Sequence, residues 1–303
     1  MTNFQIEKQA NRPHLVGAIE AGGTKFVCAI GSADGNIVQK VTIPTESPEK
    51  TLPAALAFFN QHRGDFPIES LGLGCFGPVA LDPTSTNWGH ILTTPKQGWS
   101  GTAVAPFFQR ALDIPVAFDT DVNCALLGEV AFGAGRGIKD LVYVTVGTGI
   151  GGGILANGKV VHGAMHSEFG HMLVGRELDD PSHFSGTCRF HGGNCLEGLA
   201  SGPAIARRWG APAQDLPEGH PAWTLQAKYL ATLCANLSLV TAPERIIFGG
   251  GVMQQTHLFP LIPKYLASKL GDYMPHACGK GFILPAALGQ EAGIKGALLL
   301  AQR

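Results

Sequence analysis

Apolar positions along the chain fall into a series that occurs twice. Leu15 to Ile30, LVGAIEAGGTKFVCAI, is apolar at both ends and broken by Gly22-Gly23, which predicts strand, tight turn and strand. Asp34-Gly35 turns the chain again into Asn36 to Ile43. From Pro48 to Gln61 the period changes. Leu52, Ala55, Leu56 and Phe59 recur at helical spacing, with Thr45 or Ser47 as candidate caps. Ser70 to Cys75 reads as a short strand running into Phe76-Gly77-Pro78, and Pro115 to Phe118 as another.

The second half follows the same plan. Leu141 to Ala156, LVYVTVGTGIGGGILA, aligns on Leu15 to Ile30 without a gap, and Asn157-Gly158 supplies the next hairpin turn. Leu225 to Thr241 is an apolar helix, and Arg245 to Phe248 is a strand ending in Gly249-Gly250-Gly251. A shared order of strands, helices and glycine turns predicts an α/β protein with two similar lobes facing one another across a cleft. The boundary is expected near Asp119-Thr120, followed by a helix over Asp121 to Phe132. A last helix, Gly289 to Ala301, returns to the first lobe. The lobes would then comprise residues 1–119 with 289–303, and residues 120–288. Arg207 to Pro221, with its Gly, Pro and polar residues, is expected to be a surface loop.

Composition narrows the function. Of 303 residues, 45% are hydrophobic and 15% charged, which fits a well-packed enzyme and excludes a disordered chain. A formal charge of -1 without basic clusters gives no reason to expect nucleic acid or an acidic membrane as partner. No apolar run is long enough to span a membrane, and the N-terminal MTNFQIEKQANRPH lacks the apolar core of a signal peptide. Seven cysteines, an odd number, of which only Cys188 and Cys195 show ligand-like spacing, point to a reducing, cytoplasmic compartment.

The densest chemistry lies in Ser167 to Gly202. Cys188, His191 and Cys195 fall within eight residues, and His171 stands upstream. Two thiolates and two imidazoles make a closed tetrahedral set for a structural Zn²⁺ in a loop over residues 171–195. The competing reading is that these are small buried cysteines and loop histidines without a metal. Glu168 precedes the first ligand and Glu197 follows the last, so a folded metal loop would bring two acids together, as a polyol requires.

Three glycine turns, at Gly22-Gly23, Gly147 to Gly153 and Gly249 to Gly251, could bring backbone N–H groups close to phosphates. Gly147 to Gly152 also satisfies G-x-G-x-x-G, the dinucleotide fingerprint. A β-like ILANGKVVHG follows it where a helix should open, and Gly72 to Gly77 fits the same pattern. No G-x-x-x-x-G-K-[ST] occurs, so a P-loop is excluded.

Glu20-Ala-Gly-Gly-Thr-Lys25, the Thr145 to Gly153 turn, Glu168-Phe-Gly-His171, the Cys188/His191/Cys195 loop and Gly249 to Gly251, in this order, resemble the ROK family of sugar kinases and sugar-responsive repressors. Glu20 in place of the usual Asp, with Thr120-Asp121-Val122-Asn123, looks most like the bacterial fructokinase branch. The resemblance implies an actin-like, ribonuclease-H-type pair of lobes closing on a hexose and Mg²⁺·ATP, in a homodimer. It makes Asp121 the general base for phosphorylation of fructose. Glu168, His171 and Glu197, with Gly77, Pro78 and Thr120, would bind the sugar. Glu20, Gly22, Gly23, Thr24 and Lys25, then Thr145, Gly147, Thr148 and Gly149, then Gly249, Gly250 and Gly251, would serve the nucleotide and Mg²⁺. A kinase for glucose, mannose or an amino sugar is the alternative. A repressor is disfavoured, because the first glycine turn comes too early for a helix-turn-helix domain before it.

Overall fold

The computed structural model describes residues 14–181 and 183–302. Met1 to Pro13, on which the absence of a leader is expected, lie outside the described residues. The chain forms two compact units, residues 1–124 with 294–303 and residues 125–293.

In the first unit β1 (Val16–Ala21), β2 (Lys25–Gly31), β3 (Ile37–Pro44), β4 (Leu71–Cys75) and β5 (Val116–Thr120) form one sheet in the order β3-β2-β1-β4-β5. β1 runs antiparallel to β2 and parallel to β4. β4 is buried at every position and β1 at all but Glu20, which explains their unbroken apolar runs. β3 alternates exposed and half-buried residues, as an edge strand does. Helix α1 (Pro48–His62) covers the sheet with Leu52, Ala55, Phe58 and Phe59. Ser47 takes its N-cap position without a side-chain cap bond, and Thr45, the other candidate cap, is engaged elsewhere.

Helix α2 (Val104–Leu112) has no counterpart in the sequence reading. Its Pro106 stands in the first turn, where a missing N–H costs nothing. β5 ends two residues after the expected strand end, and helix α3 (Asp121–Phe132) follows it directly.

The second unit repeats the first sheet. β6 (Leu141–Val146), β7 (Ile150–Ala156), β8 (Lys159–Val160), β9 (Arg245–Gly249) and β10 (Ile283–Pro285) are ordered β10-β9-β6-β7-β8. β6 is antiparallel to β7 and parallel to β9, the relations β1 has with β2 and β4. The gapless alignment of the two glycine-bearing stretches therefore corresponds to a repeated topology.

Helices α4 (Leu196–Ala200), α5 (Gly202–Trp209), α6 (Pro221–Thr241) and α7 (Leu258–Leu270) complete this unit. The expected loop from Arg207 is corrected at both ends. Arg207 to Trp209 close α5, capped by Ser201, and Pro221 opens α6 behind the His220 ring, which accepts the Ala222 N–H at 3.2 Å. Helix α7 also lay hidden, because Pro263 in its interior costs roughly 3 kcal/mol. Burial of Leu258, Ile262, Leu266 and Leu270, one stripe at i, i+4 spacing, offsets that cost.

Glu129 of α3, fully buried, accepts the N–H groups of Ala134, Ala287 and Leu288 at 2.8, 3.1 and 2.8 Å and so ties three segments of this unit together. The last helix, α8, spans Ala292–Leu300 after a short 3-10 turn at Gly289–Glu291. It packs on β4, where Gly72 leaves no room for a Cβ beside the Ala297 carbonyl. The two units divide within α3 and within α8, whereas the sequence reading places the boundaries at 119/120 and 288/289.

Candidate active site

In the first unit the candidate residues gather at the C-terminal ends of β1, β4 and β5. Glu20 pairs in register with Gly74, and Cys75 with Thr120, so the ends of the three strands lie side by side. A Cβ at Gly74 would lie 2.6 Å from Cys124 Sγ and 3.3 Å from Asp121 Cα. Glycine there lets the start of α3 press on the sheet.

Asp121 accepts the Val122 N–H at 2.9 Å. Burial nevertheless pushes its carboxyl up to about 6, against the pull of the Val122 and Asp121 backbone. Glu20 rises to about 7, first through burial and then through the charge of Asp121, with Lys25 and the Ile294 N–H acting the other way. Glu20 Oε2 is buried without a hydrogen-bond partner. Two neighbouring acids thus titrate well above the ordinary carboxylate range, a pattern typical of functional sites.

Thr120 is 2% exposed, and its hydroxyl accepts the Asn123 N–H at 3.0 Å, the bond of a helix cap. Asp119, which sequence reasoning did not single out, accepts from Thr120 N and Asn123 Nδ2, both at 2.7 Å, and so braces the segment carrying Asp121. Its signal was present in the sequence as a second carboxylate two residues before Asp121. Gly77 and Pro78 open the next segment through a cis peptide bond. Their carbonyls accept from Thr94 Oγ1 at 3.3 Å and Leu92 N at 2.7 Å.

The Gly22-Gly23-Thr24 turn closes through Gly22 N to Lys25 O at 2.9 Å. Thr45, also missed as a site residue, secures it from both sides. Its N–H donates to Thr24 O at 2.9 Å and its hydroxyl to Gly22 O at 2.7 Å. Gly23, Thr24 and Lys25 are exposed, and a Cβ at Gly23 would meet nothing within 4 Å.

In the second unit two glycine turns meet. Thr145 stands near the end of β6; the following turn closes through Gly147 N to Gly149 O at 2.9 Å, leaving Thr148 exposed at its tip. A Cβ at Gly147 would be 3.9 Å from Gly251 N, and one at Gly250, whose φ is +92°, would lie 2.6 Å from Val146 N. Gly249 leaves room for the Tyr143 hydroxyl. The G-x-G-x-x-G stretch runs into β7, so the helix that a dinucleotide site needs is replaced by a strand.

The metal-type residues converge. One ligand atom each from His171, Cys188, His191 and Cys195 lie within 4.8 Å of one another. His171 Nδ1 is 3.7 Å from Cys188 Sγ and 3.6 Å from Cys195 Sγ, and His191 Nδ1 is 3.5 Å from Cys188 Sγ. Tetrahedral Zn²⁺ with its usual bond lengths requires N···S edges of about 3.6 Å. The donor set therefore fits this ion. Burial pushes the Cys195 thiol up to about 11, so it would need a cation to be a thiolate at neutral pH.

Glu197, in α4, faces both this cluster and the glycine turn. Its Oε2 accepts the Ile150 N–H at 3.0 Å, and its Oε1 is 3.8 Å from His171 Nε2. A Cβ at Gly149 would stand 2.7 Å from that Oε2. Glu168 precedes the 3-10 turn Phe169–His171, which packs on β7 because Gly170 has no Cβ to meet the Ile150 carbonyl.

The ROK family pattern matches residues 16–303. The chain belongs to the ROK family. It is 40% identical over 288 residues to a fructokinase from Pediococcus pentosaceus, a match covering 95% of this chain and 98% of that one. It is 41% identical over 295 residues to a fructokinase from Zymomonas mobilis, covering 96% and 97%. A ROK family glucokinase from Streptomyces griseus, solved in complex with glucose and AMPPNP, superposes with a TM-score of 0.74 at 25% identity, over 95% of this chain and 99% of that one. The repeated β-sheet topology is accordingly the actin-like fold of ROK proteins. No described helix is long and apolar enough to cross a membrane.

Proposed function

We propose that this protein is an ATP-dependent hexose kinase that converts fructose to fructose 6-phosphate. The observation that carries the reading is Asp121, a carboxyl raised to about 6 at the start of α3, which is ionised at neutral pH yet basic enough to take a proton. The fructokinases named above, each about 40% identical over nearly their whole length, support the choice of sugar.

In this reading Asp121 accepts the proton of the 6-hydroxyl as that oxygen attacks the γ-phosphorus. The bond to the β,γ-bridging oxygen breaks, and ADP leaves with its electron pair. The turn of Gly22, Gly23 and Thr24 and the turns carrying Thr145, Gly147, Thr148 and Gly149 and then Gly249, Gly250 and Gly251 bind the phosphates through backbone N–H groups other than those of Gly22 and Gly147, which close their own turns. Lys25 adds a positive charge. Mg²⁺ supplies charge neutralisation on the phosphate oxygens when bound, and Glu20, with its unpartnered Oε2, would hold it directly or through water. Glu168, His171 and Glu197 bind sugar hydroxyls, and the family resemblance gives Gly77, Pro78 and Thr120 a sugar-binding role as well. Thr120 keeps its O–H for donation, since its cap bond uses the oxygen as acceptor.

Zn²⁺ held by His171, Cys188, His191 and Cys195 has a structural role, because four protein ligands leave no open position for a water. Ligation through Nδ1 of His171 would fix its proton on Nε2, facing Glu197. Seven cysteines without a disulfide support a cytoplasmic location. A homodimer is carried by the family resemblance alone, and sedimentation of the purified chain tests it.

The deciding experiment is a coupled ATP-consumption assay with fructose, glucose, mannose and N-acetylmannosamine, with and without Mg²⁺, reading metal content on the same sample. Turnover should be fastest with fructose, require Mg²⁺ and come from protein with one zinc per chain. Preference for another hexose would keep the kinase and replace the sugar. Absence of turnover with every sugar, despite sugar binding, would replace the enzyme with a sensor.

A further inference from the structure

Residues 161–165 are all exposed, and His166 then turns inward with only 5% of its side chain accessible. A polar ring buried in a loop whose neighbours face water must meet something polar, or it loses hydration without return. Its Nδ1 lies 3.4 Å from Oε1 of Glu168 and 3.4 Å from the Ser167 carbonyl oxygen. Neither a carbonyl nor an ionised carboxylate can donate. Nδ1 therefore carries a hydrogen, directed at these two oxygens.

We infer that His166 is a positioning residue that fixes the orientation of the Glu168 carboxylate and thereby narrows the range of hexoses the site accepts. The inference rests on the proposal that Glu168 binds sugar. Glu168 is 38% exposed, and any rotation of a carboxylate so accessible would let it follow hydroxyls placed differently on different sugars. An imidazole N–H behind Oε1 resists that rotation and polarises the group, so the two oxygens present one fixed pair of acceptors. Fixing an acceptor pair favours the sugar whose hydroxyls already match it and disfavours its isomers, which are left with unpaired polar groups.

The test compares steady-state kinetics of the full chain with fructose and with glucose for wild type, Glu168→Gln, His166→Ala, His166→Asn and His166→Gln, with zinc content and melting temperature on each sample. Asn places an N–H close to where Nδ1 carries it, whereas Gln is nearer the ring in volume but reaches past that point. His166→Ala should raise the fructose KM about tenfold, with kcat within about twofold and the ATP KM unchanged, and should shrink the fructose-over-glucose ratio by a similar factor. His166→Asn should recover most of both effects and His166→Gln should not.

A His166→Ala fructose KM within about twofold of wild type, in a protein where Glu168→Gln does raise it, would overturn the role of His166 alone. An unchanged fructose KM in Glu168→Gln would instead remove Glu168 from the sugar site, and the inference with it. Equal losses in Asn and Gln, tracking a lower melting temperature, would mark His166 as packing and also overturn the inference. Where His166→Ala does not fold, the Asn and Gln pair decides.

Discussion

Oε1 of Glu197 lies 3.8 Å from Nε2 of His171, while the other ring nitrogen of that histidine faces Cys188 and Cys195. The other oxygen of Glu197 holds the Ile150 N–H just beyond the glycine turn of β6 and β7. One carboxylate therefore lies between the metal-type cluster and the turn.

If the cluster holds zinc as proposed, removing it should for this reason affect catalysis as well as stability. Cys188→Ser, or wild type stripped with a strong chelator, is expected to lose its zinc, melt at a lower temperature and show a raised sugar KM. Structural zinc contributes directly to folding free energy, so the loss of stability should be plain. Metal analysis beside differential scanning calorimetry checks this. Cys188→Ser protein retaining one zinc per chain would disprove the ligand set.

The role proposed for Asp121 makes a prediction of its own. Asp121→Asn cannot accept the hydroxyl proton, and turnover should fall roughly 10²–10⁴-fold with circular dichroism unchanged. In wild type, kcat/KM should fall as pH drops through about 6, where burial places the Asp121 carboxyl, and level off above it. An activity profile flat from pH 5 to 8 would mean another group, or none, takes the proton.

Much of this architecture can be read from the chain, for reasons that differ between elements. The strands of both sheets are visible because buried central strands leave continuous apolar runs punctuated by glycines, as in β1, β4, β6 and β9. The His/Cys cluster is visible because three of its four members are close in sequence. Helix α7 is not, since Pro260 and Pro263 mimic a loop and only tertiary burial of its leucine stripe makes it a helix. Thr45 is equally hidden. Standing just before a helix, it has the chemistry of a cap, and only the fold brings it to Gly22, 23 residues away. His166 and Asp119 act through near neighbours in sequence, yet nothing in residue type alone tells a bracing group from a solvated one.

Glu20 should destabilise the fold as pH rises. Its folded value of about 7 exceeds its ordinary value of 4.5, so the native state holds the extra proton between those limits, and stability is lost across that window with increasing pH. Glu20→Gln removes the charge and keeps the shape. In Mg²⁺-free buffer at pH 8 it is expected to be more stable than wild type by on the order of 2 kcal/mol, and equal to it near pH 4. Urea titrations at both pH values measure the difference. A variant no more stable at pH 8 would show that Glu20 is charged at no cost in the fold.

Adjacent glycines separate what the fold needs from what a phosphate needs. At Gly250 a Cβ would stand 2.7 Å from the Val146 carbonyl carbon, on a residue with φ of +92°. Gly250→Ala must therefore shift β6 against β9, and a loss of several kcal/mol is expected, in keeping with strained and overpacked sites generally. At Gly251 a Cβ would meet nothing within 4 Å of protein, and the residue has no left-handed φ. Gly251→Ala should melt as wild type does. If the turn approaches a phosphate, the added methyl group stands in the way of the nucleotide, and the ATP KM should rise while the fructose KM does not. Calorimetry and two-substrate kinetics on the pair distinguish the cases. Wild-type ATP affinity in Gly251→Ala would put the phosphates away from this turn and leave Gly249 to Gly251 as a folding requirement only.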